Sequence, residues 1–326
     1  MNSEANATPD FPIFNTLGLT SEISGFEPDE ITNLTGDGKV GINLQKRAKS
    51  KYLNCILMGK LADLKSPLAD KYWKTYYCSH QIEVKGEKAK SNFCSFRWCM
   101  ICNRIRTATL INAYMPTLES WKSKSFVTLT IPNCKGENLG CSLKTMYETF
   151  TKIKDVERKR GFKLVGLRKL ECTYNREQDD YHPHYHLILD NPTRNKIIID
   201  EWLDRFPGTS RLAQNFKKAD NNSCFELFKY FTKLSSNNSK DKTITTQALD
   251  NIFQSIQGVR TFQPFGFVAH KIEPPPNNII LENDDSEYEM YSYQKSITDW
   301  LSKETGELLT NYQPTITDEY IRKNIR

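Results

Sequence analysis

The sequence predicts an α+β fold: a central antiparallel sheet with flanking helices, preceded by a small zinc-binding region. Three observations predict the sheet. Residues 125–131 alternate in character and are rich in β-forming side chains, which reads as a strand. Residues 163–174 and 182–189 read as two further strands, joined through the polar, turn-rich run 175–182 as a hairpin. Apolar residues at helical spacing over 142–160 and 195–206 place helices before and after that hairpin, Gly161 ending the first and Pro207-Gly208 the second. This β-α-β-β-α order with a tight hairpin favours antiparallel over parallel pairing.

The chain has 326 residues, enough for one large domain or two modest ones. No run of eighteen apolar residues occurs, so no transmembrane helix is expected. Residues 1–10 are polar, and no signal peptide is expected either. Nine cysteines in clustered spacing, without such a signal, favour reduced thiols and a metal site over disulfides, hence a cytoplasmic protein. Charge is unevenly spread. The first 38 residues carry seven acids and no base, and residues 277–326 carry ten acids and five bases, which leaves +18 on residues 39–276 of a chain of net charge +6. A basic body between acidic ends suits a nucleic-acid binder, although solvated surface lysines give the same count.

In chain order, residues 1–45 lack a sustained period and read as an acidic, disordered arm. Residues 45–63 read as a basic amphipathic helix, with Lys46, Arg47, Lys49 and Lys51 beside Leu53, Ile56, Leu57 and Leu61, and with Pro67 beyond it. Tyr72, Trp73, Tyr76 and Tyr77 read as core packing, with base stacking the alternative. Cys78, Cys94, Cys99 and Cys102 follow in the pattern C-x15-C-x4-C-x2-C. Thiolates so placed suit tetrahedral zinc, with Cys78 as fourth ligand and His80 as the alternative; buried core thiols are the plainer reading. Arg97, Arg104 and Arg106 flank the cluster and would offer a basic face to DNA. A helix over 103–121, broken near Pro116, completes a helical, cysteine-rich zinc region at 46–120.

The region 121–275 holds the chemistry. Three of the five histidines stand at every second position, and in a strand His184 and His186 share a face. Two imidazoles so placed can bind one metal ion, and Glu171 on the preceding strand is the third ligand candidate. One carboxylate, two imidazoles and open positions suit Mg or Mn, with Zn or Co also possible. Residues 225–233 read as a short helix with Glu226 and Tyr230 on one face and Lys229 and Lys233 on the neighbouring one. A tyrosyl nucleophile, a carboxylate that activates water and a divalent metal make a workable phosphoryl-transfer set. Alone, Tyr230 reads as a packed helix tyrosine, and spacing does not show whether the two sites meet. A polar loop at 235–246, a helix at 247–257 and an edge strand within 259–270 follow. Pro274-Pro275-Pro276 closes the region, and residues 276–326 read as an acidic tail with helical potential around 293–301.

Four stretches in order give the chain a family resemblance. Cys94-Ser-Phe-Arg-Trp-Cys-Met-Ile-Cys102, Phe126-Val-Thr-Leu-Thr-Ile131, His182-Pro-His-Tyr-His-Leu187 and Glu226-Leu-Phe-Lys-Tyr-Phe-Thr-Lys233 resemble the motifs of rolling-circle plasmid replication initiators of the HUH endonuclease superfamily. They resemble in particular the branch with a cysteine cluster and a Glu/Tyr active-site helix; Met100 stands where that branch often has proline. The resemblance implies that Tyr230 nicks one origin strand, stays joined to the 5′ phosphate and frees a 3′ hydroxyl that primes synthesis. It also implies that His184 and His186, with Glu171 as the third candidate, hold Mn or Mg, that Glu226 activates water in termination, and that Lys233 and, less directly, Lys229 contact phosphate. The partner it implies is origin DNA, partly single-stranded or supercoiled, with host replication proteins such as a helicase possible and no membrane. Alternatives are a relaxase or transposase with the same chemistry, a non-enzymatic zinc-dependent DNA-binding regulator, and a metallohydrolase of small phosphate esters.

Overall fold

A computed structural model describes residues 44–85, 88–228, 245–267 and 288–325. The N-terminal part begins with α1 (Leu44–Ala62) and α2 (Ala69–Tyr76). Pro67 separates them by disfavouring helical backbone at Ser66, whose hydroxyl accepts the Leu68 N–H at 2.9 Å. Lys51 is no surface base: it is fully buried, and its ammonium donates to the carbonyls of Tyr76 and Cys78 at 2.7 Å each. The aromatic run divides. Tyr72 is core, whereas Trp73 and Tyr77 are 42% and 56% exposed, against the expectation of shared core packing.

A hairpin absent from the sequence reading follows, β1 (Gln81–Lys85) and β2 (Lys88–Ser91), and then the long helix α3 (Met100–Ser120). Pro116 lies inside α3 and does not break it. Leu110, Ile111, Tyr114, Met115 and Leu118 bury one continuous stripe, and that packing outweighs the proline's cost of about 3 kcal/mol.

Among the described residues the central sheet has five strands: β3 (Ser125–Thr130), β4 (Gly166–Asn175), β5 (Asp180–Leu189), β6 (Asn215–Lys218) and β7 (Phe262–Phe265). Their order is β6-β3-β5-β4-β7, and every neighbouring pair is antiparallel, as the order of elements predicted. Alternation sends Val127, Leu129, Leu170, Tyr185, Leu187 and Leu189 to one face. There they share a core with Leu143, Met146, Phe150 and Ile153 of α4 (Gly136–Lys159) and Trp202 of α5 (Asn195–Arg205). On the other face Phe126, Leu167 and Ile188 pack with α3 and with Leu227 and Phe228 of α6 (Asn221–Phe228). Both faces are covered, so a one-residue slip of any strand would exchange two apolar sets and is strongly disfavoured.

A second sheet, in the order β2-β1-β8-β9, joins the β1–β2 hairpin to β8 (Glu289–Gln294) and β9 (Asp299–Ser302). The stretch with expected helical potential, 293–301, is therefore a hairpin, its turn tightened by Thr298 at φ 57°. Tyr291, Tyr293 and Trp300 enter the core from it. Helix α8 (Ile316–Asn324) then lays its acidic first turn on basic α1, with Lys49 3.4 Å from Asp318 and Tyr52 donating to Glu319. The part of the acidic tail that is described is thus folded against α1. The second sheet's region meets the first through α7 (Thr246–Ser255), where Tyr72 donates to Asp250 and Trp98 packs on Phe253. Among the described residues no helix is long and apolar enough to cross a membrane.

Candidate metal centres

Among the described residues two groups of side chains converge on points where an ion could sit: Cys78, Cys94, Cys99 and Cys102, and Glu171, His184 and His186, each with its ligand atoms within 4.8 Å of one another. The cysteine group forms where three elements meet. Cys78 follows α2, Cys94 follows β2, and Cys99 and Cys102 straddle the first turn of α3. The Sγ atoms of Cys78 and Cys94 lie 3.6 and 3.7 Å from that of Cys102. Backbone N–H groups of Cys94, Ser95 and Cys102 donate to the sulfurs of Cys78, Cys102 and Cys99 at 3.3–3.5 Å. Such donors favour thiolate, and hydrogen bonds from Cys102, Cys78 and Cys99 hold the Cys94 thiol far below its ordinary range, whereas hydrogen bonds from Cys102 and Cys94 push the Cys78 thiol up and burial pushes Cys99 up. The fourth sulfur comes from Cys78. His80 is not in the group; its ring packs against Tyr77 and Tyr293 instead.

The basic residues around this cluster are partly engaged with the protein. Arg97 donates to the Val259 carbonyl, and Arg106 donates to Asn103 and to the Ser95 carbonyl. Arg104 is half-buried, and burial pushes its pKa down to about 10.

The second group belongs to the central sheet, on the face turned toward α3 and α6. Register puts Glu171 of β4 directly opposite His184 of β5, with Lys169 opposite His186, and Thr130 and Thr128 of β3 opposite the same two histidines. Each imidazole is oriented through its far nitrogen. Nδ1 of His184 lies 3.1 Å from the His182 carbonyl, which can only accept, so that nitrogen carries the proton and Nε2 presents its lone pair. Nδ1 of His186 lies 3.2 Å from the Thr128 hydroxyl. Both Nε2 atoms are 3.5 Å from the same oxygen, Oε2 of Glu171. That oxygen is buried and has no hydrogen-bond partner. Ligands about 2.1 Å from one ion lie roughly 3 to 3.5 Å apart, so the two Nε2–Oε2 separations suit ligands of a shared divalent cation.

Electrostatics agree with that fit. Burial would raise the Glu171 carboxyl, but the Lys169 ammonium paired with it holds it well below the usual range. Burial and the Glu171 carboxylate act oppositely on His186, and burial prevails, so its pKa falls and the neutral, ligating form is favoured. His182 is pushed down to about 4 by burial and by His184. It stands outside the ligand group, with Nδ1 2.8 Å from Asn133, and serves the site through its backbone carbonyl.

Lys169 was not singled out from the sequence. It is 3% exposed, pairs with Glu171 Oε1 at 2.6 Å and donates to the Glu226 carbonyl of α6 at 3.1 Å. The available signal was its alternation with Glu171, which puts a second charge on the same face of the strand. Gln214 was missed too; its amide clasps the backbone N–H and the hydroxyl of Thr130 at 2.8 and 2.7 Å and so fixes the strand beside His184. Glu226 is half-buried on α6. Lys229, Tyr230 and Lys233 lie outside the described residues.

Comparison with known proteins gives a consistent set. A family model described as "Replication protein" matches residues 85–194, which include three of the four cysteines and the whole Glu/His group. A "Protein rep" of Staphylococcus aureus is 32% identical over 169 residues, covering 46% of this chain and 73% of that protein. A "Protein rep" of Bacillus sp is 29% identical, with 41% of this chain and 46% of the relative covered. One of Lentilactobacillus hilgardii is 28% identical, with 59% and 71% covered. The chain therefore spans most of the first relative and under half of the second. No solved structure matches significantly.

Proposed function

The chain belongs to the Rep family of plasmid replication proteins, and on that footing we propose that it is a metal-dependent endonuclease that opens one origin strand through Tyr230. One observation carries the reading: the buried, unpartnered Oε2 of Glu171 faces the Nε2 atoms of His184 and His186 on the sheet face that packs against α6, and α6 leads along the chain to Tyr230. Glu171, His184 and His186 would hold Mn or Mg, which when bound supplies charge to polarise a scissile phosphate. Tyr230 attacks phosphorus through its phenolic oxygen. The bond to the 3′ oxygen breaks, leaving a 5′-phosphotyrosyl link and a 3′ hydroxyl primer. Glu226 activates a water that hydrolyses that link at termination. Lys233 and Lys229 contact the phosphate, and the +18 body supplies salt-sensitive contacts to the DNA backbone, with Arg97, Arg104 and Arg106 beside a structural zinc on the four cysteines. The substrate is origin DNA, partly single-stranded or supercoiled, in the cytoplasm.

The test is a denaturing-gel nicking assay on supercoiled DNA carrying the gene's own flanking sequence, with Mn. Wild type is expected to give a protein–DNA adduct that Tyr230→Phe abolishes and that Glu226→Ala leaves in place but unresolved. Tight DNA binding with no nick or adduct under any divalent metal would replace this reading with a non-enzymatic regulator.

A further inference from the structure

We propose that Lys169 is a positioning residue that ties the carboxylate of the Glu171–His184–His186 centre to the backbone of α6, so that one side chain sets both the ligand's orientation and the placement of the helix leading to Tyr230. The tie to α6 and to the carboxylate rests on geometry alone; its consequence for nicking rests on the function proposed above.

A buried ammonium is costly unless its donors are met. Neutralising Glu171 would need one contact, yet Lys169 makes two, to acceptors on different elements: Oε1 of Glu171 on its own strand and the carbonyl of Glu226 on α6. The first contact occupies one carboxylate oxygen and leaves Oε2 as the one that faces both imidazoles. The second grips the last described turn of α6, where Thr107 of α3 also donates to the Phe228 carbonyl at 3.2 Å. Two consecutive strand positions of the same face, 169 and 171, thus carry the link and the ligand, and the rigid sheet transmits the position of one to the other.

The experiment uses the full chain and three variants: Lys169→Met, Lys169→Arg and the double variant Lys169→Met/Glu171→Gln. The Co(II) absorption spectrum reads the ligand. Amide exchange over residues 221–228 reads the helix, and adduct formation on a single-stranded origin oligonucleotide with saturating Mn reads the consequence. In Lys169→Met, freeing Oε1 should change the intensity of the Co(II) bands. Exchange over 221–228 should rise roughly tenfold or more, the effect of losing a hydrogen bond from a charged donor. Adduct formation should fall about 10- to 100-fold, in kcat more than in KM, with partial rescue by Lys169→Arg. A folded Lys169→Met with wild-type exchange over 221–228 or a wild-type Co(II) spectrum would overturn the proposal. If that variant does not fold, the double variant, which strands no carboxylate, decides through exchange: fast supports the tie, wild-type rates refute it. A wild-type protein that binds Co(II) but forms no adduct would sink the nicking reading, while the spectrum and exchange would still decide for or against Lys169.

Discussion

The two candidate centres differ in how they are finished. The cysteine group has four like ligands, supplied around the first turn of α3 and the ends of α2 and β2, with backbone N–H groups already on its sulfurs. The sheet group has three unlike ligands, a buried oxygen with no partner, and supports that are themselves side chains: Thr128, Lys169 and, through its backbone, His182. A closed tetrahedral set holds chain segments together, whereas an incomplete set leaves positions for a substrate. One chain thus carries a closed set of four sulfurs at the junction of small elements and an open Glu/His set on its central sheet.

That contrast predicts its own failures. Cys99→Ser should be the most damaging change, lowering the melting temperature by roughly 10 °C or more with loss of about one bound zinc, because structural metal binding is folding free energy. Calorimetry with metal analysis checks it, and an unchanged melting temperature would make the thiols ordinary core. His186→Ala should do the reverse: adduct formation falls on the order of a hundredfold or more, while the melting temperature moves by only about 2–3 °C. A large loss of stability there would erase the distinction.

The smallest effect concerns the buttress of the cysteine side. Burial would raise Asp318, but the Thr315 backbone N–H, the hydroxyls of Tyr312 and Thr315, and Lys49 hold it below its ordinary value of 3.8. A carboxyl lowered by folding stabilises above its unfolded value and loses that contribution as pH falls through the folded one. Asp318→Asn should therefore cost about 1–3 kcal/mol at neutral pH and converge on wild type as pH falls through the lowered folded value, as denaturant unfolding at several pH values would show.

What the sequence disclosed followed the range of the forces involved. Alternation over 125–131 and 182–189 is local, and it located the strands, their antiparallel pairing and the shared face of His184 and His186. The short spacing of Cys99 and Cys102 marked the start of a site, and Cys78 proved its distant member. Charged residues were misleading where partners lie far along the chain. Lys51 looked like surface, yet its acceptors are carbonyls 25 and 27 residues away, and one of those of Lys169 is 57 away. The short strands β1, β2 and β6 lack an apolar run of their own and form because a neighbouring strand offers a ladder. Pro116 misled in the opposite sense, because its local cost is overridden by the stripe that α3 buries.

The pairing of β1 with β8 also fixes an order of events during synthesis. Gln81 leaves the ribosome about two hundred residues before Ser292, its partner across the sheet. At roughly 5–20 residues per second the edge of β1 waits about 10 to 40 seconds for its mate, while β3, β4 and β5 can already pair. The five-stranded sheet can thus assemble first, and the terminal sheet closes last. A chain cut short before residue 288 cannot complete it, and the exposed strand edge marks such a product for aggregation or proteolysis.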